Sequence, residues 1–274
     1  MGLNRDFIGK MYGPIQMTVD AARIGAYAAA TGDPRAANGD AGATAPPVFG
    51  IVPVWPGIQQ VLADPGLGLD VGRVVHGEQR MTFHRLIRAG DELSTTGTIA
   101  SMEDRGANEV FVLAFETRDA GDELVTSQEV VCVSRGTGSG DAAGTRRPRP
   151  ARGDIGEPDV VRVVDLPDDI TYRYAEASGD DNRIHVDDAF ARDVGLGGII
   201  VQGMCLFAIA MQAVIETTAD GDPARVRTAS TRFLRPIRPA TALRTQVYRT
   251  ADGARFEARD PDAKTVLAGA ATTA

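Results

Sequence analysis

Residue types that carry much of protein chemistry are scarce in this 274-residue chain, which has two cysteines and three histidines. Cys132 and Cys205 are too few and too far apart for a zinc ribbon or a disulfide framework. Cys205 lies in an apolar run, where a buried and inert thiol is expected. Lysine is equally rare, only Lys10 and Lys264, so the positive charge is almost wholly arginine. That bias makes any single arginine weak evidence for a phosphate ligand. The net charge of −8 excludes a binder of phosphate backbones, which would present a basic surface. No apolar stretch reaches the ~20 residues that cross a bilayer. The opening MGLNRDFIGKMYG lacks the basic-then-apolar pattern of a signal peptide, so the cytoplasm is the expected compartment. GxSxG and paired Cys–His signatures of a nucleophilic enzyme are missing. Gly66, Gly68 and Gly72 do not have dinucleotide-loop spacing, and GTGSG follows strand-like residues without opening a helix.

What is present is a composition close to the globular average, 43% apolar and 24% charged, in a length that suits one large domain or two moderate ones. The clearest break is the Gly/Pro/Arg-rich stretch 136–158, which has no apolar periodicity and reads as a linker between residues 1–135 and 159–274. Both parts run in the same order. In the first, the run 17–34 leads through a loop to VFGIVPVWPGIQQVLADP, a helix ended by Pro65 and confined to a late start by Pro53 and Pro56. Four strand-like runs follow, separated by turn signals at 105–106 and 120–122. In the second, ITYRYAEASGDDN leads through a Gly-rich loop to QGMCLFAIAMQAVIETT, then to four more strand-like runs with turns at 251–253 and 260–262. A repeat of ~130 residues is too long for a solenoid and fits a duplicated domain. Met204, Leu206, Phe207, Ile209, Met211, Val214 and Ile215 leave the second helix without a polar face, so it must be buried. Antiparallel strands wrapped around one helix satisfy that demand.

The chemistry concentrates in residues 174–204, YAEASGDDNRIHVDDAFARDVGLGGIIVQGM. Asp180 and His185 stand close together, joined by turn-forming residues that include Asn182. A carboxylate and an imidazole so placed can converge on one water, the equipment of general acid–base catalysis. The same residue types also make ordinary solvated turns, and spacing alone leaves both readings open.

The run YAEASGDDNRIH followed by GLGGIIVQGM resembles the signature of the MaoC-like, R-specific enoyl-CoA hydratases. VVHGEQRMTFHRLIRAGDEL resembles the N-terminal half of the two-hotdog hydratases of peroxisomal type. STRFLRPIRPATALRTQVYRTADGARFEARD resembles their C-terminal strands, so the resemblance covers nearly the whole chain. It implies an α+β double hotdog, two antiparallel sheets each wrapped around a long central helix and fused into one continuous sheet. It further implies that Asp180 and His185 hold and activate a water, with Asn182 supporting the active-site loop or the ligand. The Gly203 backbone N–H would donate to the thioester carbonyl, and its place before an apolar helix suits a developing enolate oxygen. The implied reaction is syn-addition of water to a trans-2-enoyl thioester, giving a (3R)-3-hydroxyacyl thioester, or its reverse. It is the work of a hydro-lyase of fatty-acid metabolism that needs no metal or redox cofactor. The substrate would be an acyl-CoA or an acyl-carrier-protein thioester, with Arg232, Arg235 and Arg238 facing nucleotide phosphates or an acidic carrier. A homodimer is the expected assembly, without nucleic-acid or membrane partners.

Three positions depart from the family pattern. Arg183 replaces a proline, Gln202 a histidine taken as structural, and Ala240 a glycine. Glutamine can still donate and accept hydrogen bonds. The first half has no equivalent dyad: TGDPRAANGD mimics the SGD start but has Asn38 where a histidine would stand. Its expected role is to shape a tunnel for the acyl chain, and the small-residue loop 39–50 would either widen that tunnel or form an ordinary surface loop. Glu78, beside His76, would support the site from that half or form a structural ion pair, and His84 would have no chemical role. The alternatives are a hotdog thioesterase, which would want an acidic residue on the buried helix where none precedes Glu216, and a tailoring enzyme or non-catalytic acyl-binding subunit.

Overall fold

Alternating burial and short turns generate most of this fold. The computed structural model describes residues 2–37, 43–140 and 156–274. Most of the expected linker 136–158, part of the loop 39–50, and Asn38 lie outside the described residues. The strands are β1 (Met11–Thr18), β2 (Val74–Phe83), β3 (Glu92–Arg105), β4 (Asn108–Asp119), β5 (Leu124–Arg135), β6 (Val160–Leu166), β7 (Val226–Phe233), β8 (Thr241–Thr250), β9 (Gly253–Arg259) and β10 (Thr265–Thr273). They form one antiparallel sheet in the order β1-β3-β4-β5-β2-β7-β10-β9-β8-β6. The two halves therefore contribute five adjacent strands each and meet where β2 pairs with β7, from Glu78↔Arg232 to Thr82↔Thr228. Two of these strands, β1 and β6, were not among the runs legible as strands.

The helices are α1 (Ala21–Ala30), α2 (Pro34–Ala37), α3 (Trp55–Leu62), α4 (Ile170–Ser178), α5 (Arg183–Val186), α6 (Asp188–Asp193) and α7 (Gly203–Thr218). Every residue of α7 from 204 to 215 is buried, as an all-apolar helix requires. It packs against β6 to β10 and against the 3-10 turn Pro47–Ile51 of the first half. This is the double hotdog arrangement. Its first helix is the shorter of the two: α3 has eight residues and begins only at Trp55, with Pro56 in its first turn. The 3-10 turn ahead of it carries Val48, Phe49 and Ile51 into the core. A buried amide pair fixes that turn to the sheet, since Gln79 Nε2 donates to Gln128 Oε1 at 2.9 Å and Gln128 Nε2 donates to the Gly50 carbonyl at 2.6 Å. Among the described residues no helix is long and apolar enough to cross a membrane.

Phe207 of α7 is fully buried and stacks on Phe256 of β9 at 6.1 Å. Phe207→Ala should cost about 3–5 kcal/mol of folding free energy through lost transfer and a residual cavity, measured as a lowered urea midpoint at unchanged m-value.

Candidate active site

Asp180 is delivered by the end of α4. Gly179 closes that helix in the left-handed region at φ +87°, which costs glycine little, and so turns the chain inward for the next residue. The last carbonyls of α4 are met by a side chain from the other half. Arg23 of α1 donates from Nε to the Ala177 carbonyl at 2.8 Å and from Nη2 to the Ser178 carbonyl at 3.2 Å. A guanidinium at a helix C-terminus also complements the helix dipole. Behind it, the buried hydroxyls of Tyr27 on α1 and Tyr174 on α4 lie 3.4 Å apart, and burial raises both above the ordinary phenol range.

His185 sits within the single turn α5, whose N-cap is Asn182. Asn182 Oδ1 accepts from the Ile184 N–H and its carbonyl accepts from the His185 N–H at 2.8 Å, so Asn182 shapes the loop that carries His185. His185 Nδ1 lies 2.8 Å from the Ile200 carbonyl. A carbonyl only accepts, so Nδ1 carries a proton, and in the neutral form of the ring the lone pair is on Nε2. Nε2 faces Asp180 Oδ2 at 3.9 Å, with both side chains buried. That gap is too long for a direct hydrogen bond, and one oxygen about 2.8 Å from each atom spans it. Burial pushes the Asp180 carboxyl above the usual carboxylate range, against the opposing pull of His185.

Gly203 is the first residue of α7, which has no side-chain cap at its N-terminus. Its N–H therefore has no intrahelical acceptor and lies at the positive end of the dipole. A side chain here would collide with the ring of Phe233, whose carbons would stand 2.8 and 2.9 Å from a Cβ. Phe233 in turn rests on His76 of β2 at 4.7 Å. Gln202, fully buried, ties this helix start to the carboxylate loop: its Nε2 donates to the Thr171 carbonyl at 2.9 Å and to the Asp180 carbonyl at 3.2 Å.

These elements enclose a cavity of about 170 Å³, mouth included, lined by Ile51, Trp55, Tyr174, Ser178, Asp180 and Met204, whose enclosed part holds about one water. Ile51 and Trp55 come from the half that lacks the dyad. Neither Asp180 Oδ1 nor Trp55 Nε1, both buried, has a hydrogen-bond partner among the described residues. Such orphaned groups are uncommon and point to a ligand. Trp55, Tyr174, Arg23 and Phe233 were not singled out from the sequence as site residues, because only folding brings the two halves together.

Other expected residues lie elsewhere. Glu78 is on the sheet face opposite His76, bonded to Arg80 at 2.7 Å, while a bulge between positions 76 and 78 turns His76 inward. Burial pushes the His76 imidazole down to about 4, which keeps it neutral. Arg232 is exposed and pairs in register with Glu78, away from Asp180. Arg183 brings no charge to the dyad, because it binds Asp187 at 2.6 Å and lies over the Phe190 ring. It opens α5 at the position where proline is favoured and an unpaired N–H is tolerated. Ala240 adopts φ +56°, a conformation that glycine takes without strain. In the first half, Asp33 is buried but neutralised by Arg35 at 2.7 Å. His84 is exposed beside Ser127, and the Cys205 thiol is buried and raised above its ordinary range by desolvation. Among the described residues no three His, Cys, Asp or Glu side chains converge on one point.

The arrangement sets a buried carboxyl opposite an imidazole nitrogen close to the start of a buried helix, groups of the kind that proton transfer beside a developing oxyanion uses. The chain is similar to known proteins in both halves. Residues 140–270 match the family described as MaoC like domain, and residues 6–128 match the FAS1-like dehydratase domain region. A UPF0336 protein of Parafrankia sp. is 39% identical over 147 residues, spanning 50% of this chain and 97% of that protein. The peroxisomal multifunctional enzyme type 2 of Mus musculus is 26% identical over 218 residues, 78% of this chain but 29% of the longer enzyme. The crystal structure of a MaoC-like dehydratase from Phytophthora capsici superposes with a TM-score of 0.83 at 21% identity, covering 98% of this chain and 97% of that one, a likeness of fold.

A raised carboxyl pKa has a consequence for stability. The folded state favours protonated Asp180, so its contribution is complete below the unfolded value near ~3.9 and is lost as pH rises through the folded value. Asp180→Asn should therefore raise the urea midpoint at pH 7 to 8, and the gain should fade toward pH 4. A gain that grows with acidity would contradict this.

Proposed function

We propose that this chain, which belongs to the MaoC-like dehydratase family, adds water reversibly to trans-2-enoyl thioesters, giving (3R)-3-hydroxyacyl thioesters. One observation carries the reading: Asp180 and His185 Nε2 face each other across 3.9 Å beside the N-terminus of a helix buried from 204 to 215. In the hydration direction the water lies between the two groups and attacks C3. One dyad member accepts a proton from that water, and the dyad returns a proton to C2. Charge developing on the thioester oxygen is met by the Gly203 N–H, which is positioned before reaction and so costs no reorganisation. The imidazole takes the proton-accepting role in this reading. Its tautomer is held by the Ile200 carbonyl, whereas desolvation biases Asp180 toward its protonated form and fits it to give a proton back.

The pantetheine thioester is shared by CoA and acyl-carrier-protein substrates, and either fits this chemistry. A thioesterase reading finds no support in α7, whose acidic residue, Glu216, lies toward the far end and binds Arg162 at 2.5 Å.

Hydration of crotonyl-CoA and of a longer enoyl-CoA, followed by loss of enoyl absorbance, tests the proposal. Asp180→Asn and His185→Ala should each lower kcat by roughly 10²–10⁴-fold. Retention of activity in both variants would refute the dyad, and release of free CoA without loss of enoyl absorbance would indicate a thioesterase instead.

A further inference from the structure

Trp55 is the sole tryptophan of the chain. It opens α3, in the half that lacks the dyad, and lines the same cavity as Asp180. Its Cδ1 lies beside Gly179, where a Cβ would stand 3.6 Å away, an ordinary van der Waals distance. The pyrrole edge of the indole, Cδ1 with Nε1 beside it, therefore lies against the turn that ends in Asp180. The indole Nε1 can only donate, and a carboxyl oxygen that carries no proton can only accept. Both Trp55 Nε1 and Asp180 Oδ1 are buried in the wall of one cavity without a partner among the described residues. A buried indole N–H ordinarily finds an acceptor, and its absence costs free energy.

We propose that Trp55 donates a hydrogen bond from Nε1 to the reacting oxygen, the water that is added or the 3-hydroxyl that leaves, and holds it against Asp180. The proposal rests on the hydration reading above and extends it across the two halves of the chain. One half supplies the acid and base, and the other supplies a donor that fixes where the oxygen sits. A donor to this oxygen aims one of its lone pairs at the indole, leaving another for C3 and both protons for the dyad. The same donor stabilises the hydroxyl oxygen as the C3–O bond breaks in dehydration, while the proton that completes the departing water comes from the dyad. An N–H at this point also rewards a hydroxyl at C3 over a hydrogen, so the saturated thioester leaves it unpaired.

Two measurements on the full chain test this. In the first, Trp55→Phe removes the donor and keeps an aromatic wall, with crotonyl-CoA as substrate. The expected result is a kcat lower by roughly tenfold with KM within about twofold, because the bond is made to the reacting atom. An unchanged kcat would overturn the proposal. The second uses the unaltered protein and does not depend on the variant folding. The single indole N–H signal in a ¹H–¹⁵N spectrum should move downfield with (3R)-3-hydroxybutyryl-CoA, and by much less with butyryl-CoA, which lacks the hydroxyl. Equal shifts with the two ligands would overturn it. If the unaltered protein hydrates no enoyl thioester, the functional reading fails and this inference falls with it. If hydration proceeds and Trp55→Phe leaves kcat intact, only the role of the indole falls.

Discussion

A sixteen-residue helix with an unbroken buried stretch has to be surrounded on every side, and nearly everything else follows from how α7 is enclosed. Five strands of its own half cover one flank, and the 3-10 turn Pro47–Ile51 of the other half closes another. Burial of that helix is a large apolar contribution, of order 25 cal/mol for each Å² removed from water. It also forces the helix N-terminus to end inside the protein. Its first residue, Gly203, has no capping side chain, so the neighbouring space lies at the positive end of the helix dipole. Chemistry that develops negative charge on an oxygen is favoured at such a point.

The dyad is held at this helix end by contacts that cross the chain. Arg23 of α1 secures the end of α4, Gln202 joins the carbonyls of Thr171 and Asp180, and the Ile200 carbonyl fixes the imidazole of His185. The first half repeats the same opening, but its carboxylate, Asp33, is paired with Arg35 and has no imidazole opposite among the described residues. The two halves are thus similar frames that differ at this point. One keeps a buried carboxyl in a state that burial disfavours when charged, and the other contributes walls, among them Ile51 and Trp55. Strain of this kind at a functional site is offset by the packing around it.

How much of this was legible in the sequence follows from which residues carry periodic burial. The inner strands and α7 announce themselves, because alternation or a continuous apolar run is what two covered faces require. Strands β1 and β6 did not, and they are the two edges of the sheet. β1 contains Gly13 and Pro14 and is largely exposed, while Val160, Val161 and Val163 of β6 are exposed. An edge strand lacks the neighbour that would impose the pattern. Within the site, Asp180, His185, Asn182, Gln202 and Gly203 lie in one continuous segment and were found together. Trp55 could not be joined to them by spacing, since it comes from the other half and meets Asp180 only in the fold, whereas Tyr174 opens the same segment and was not read as a site residue. The bulge in β2 likewise sends Glu78 and His76 to opposite faces, which no count of residues reveals.

The central claim is that acid, base and oxyanion donor act on one face of an enoyl thioester from a single buried cluster. Its most direct test is the stereochemistry of the product formed from crotonyl-CoA in D₂O. The account predicts a (3R)-3-hydroxybutyryl thioester in which the C2 deuterium and the C3 oxygen were added from the same side. A 3S product, or addition from opposite sides, would contradict it.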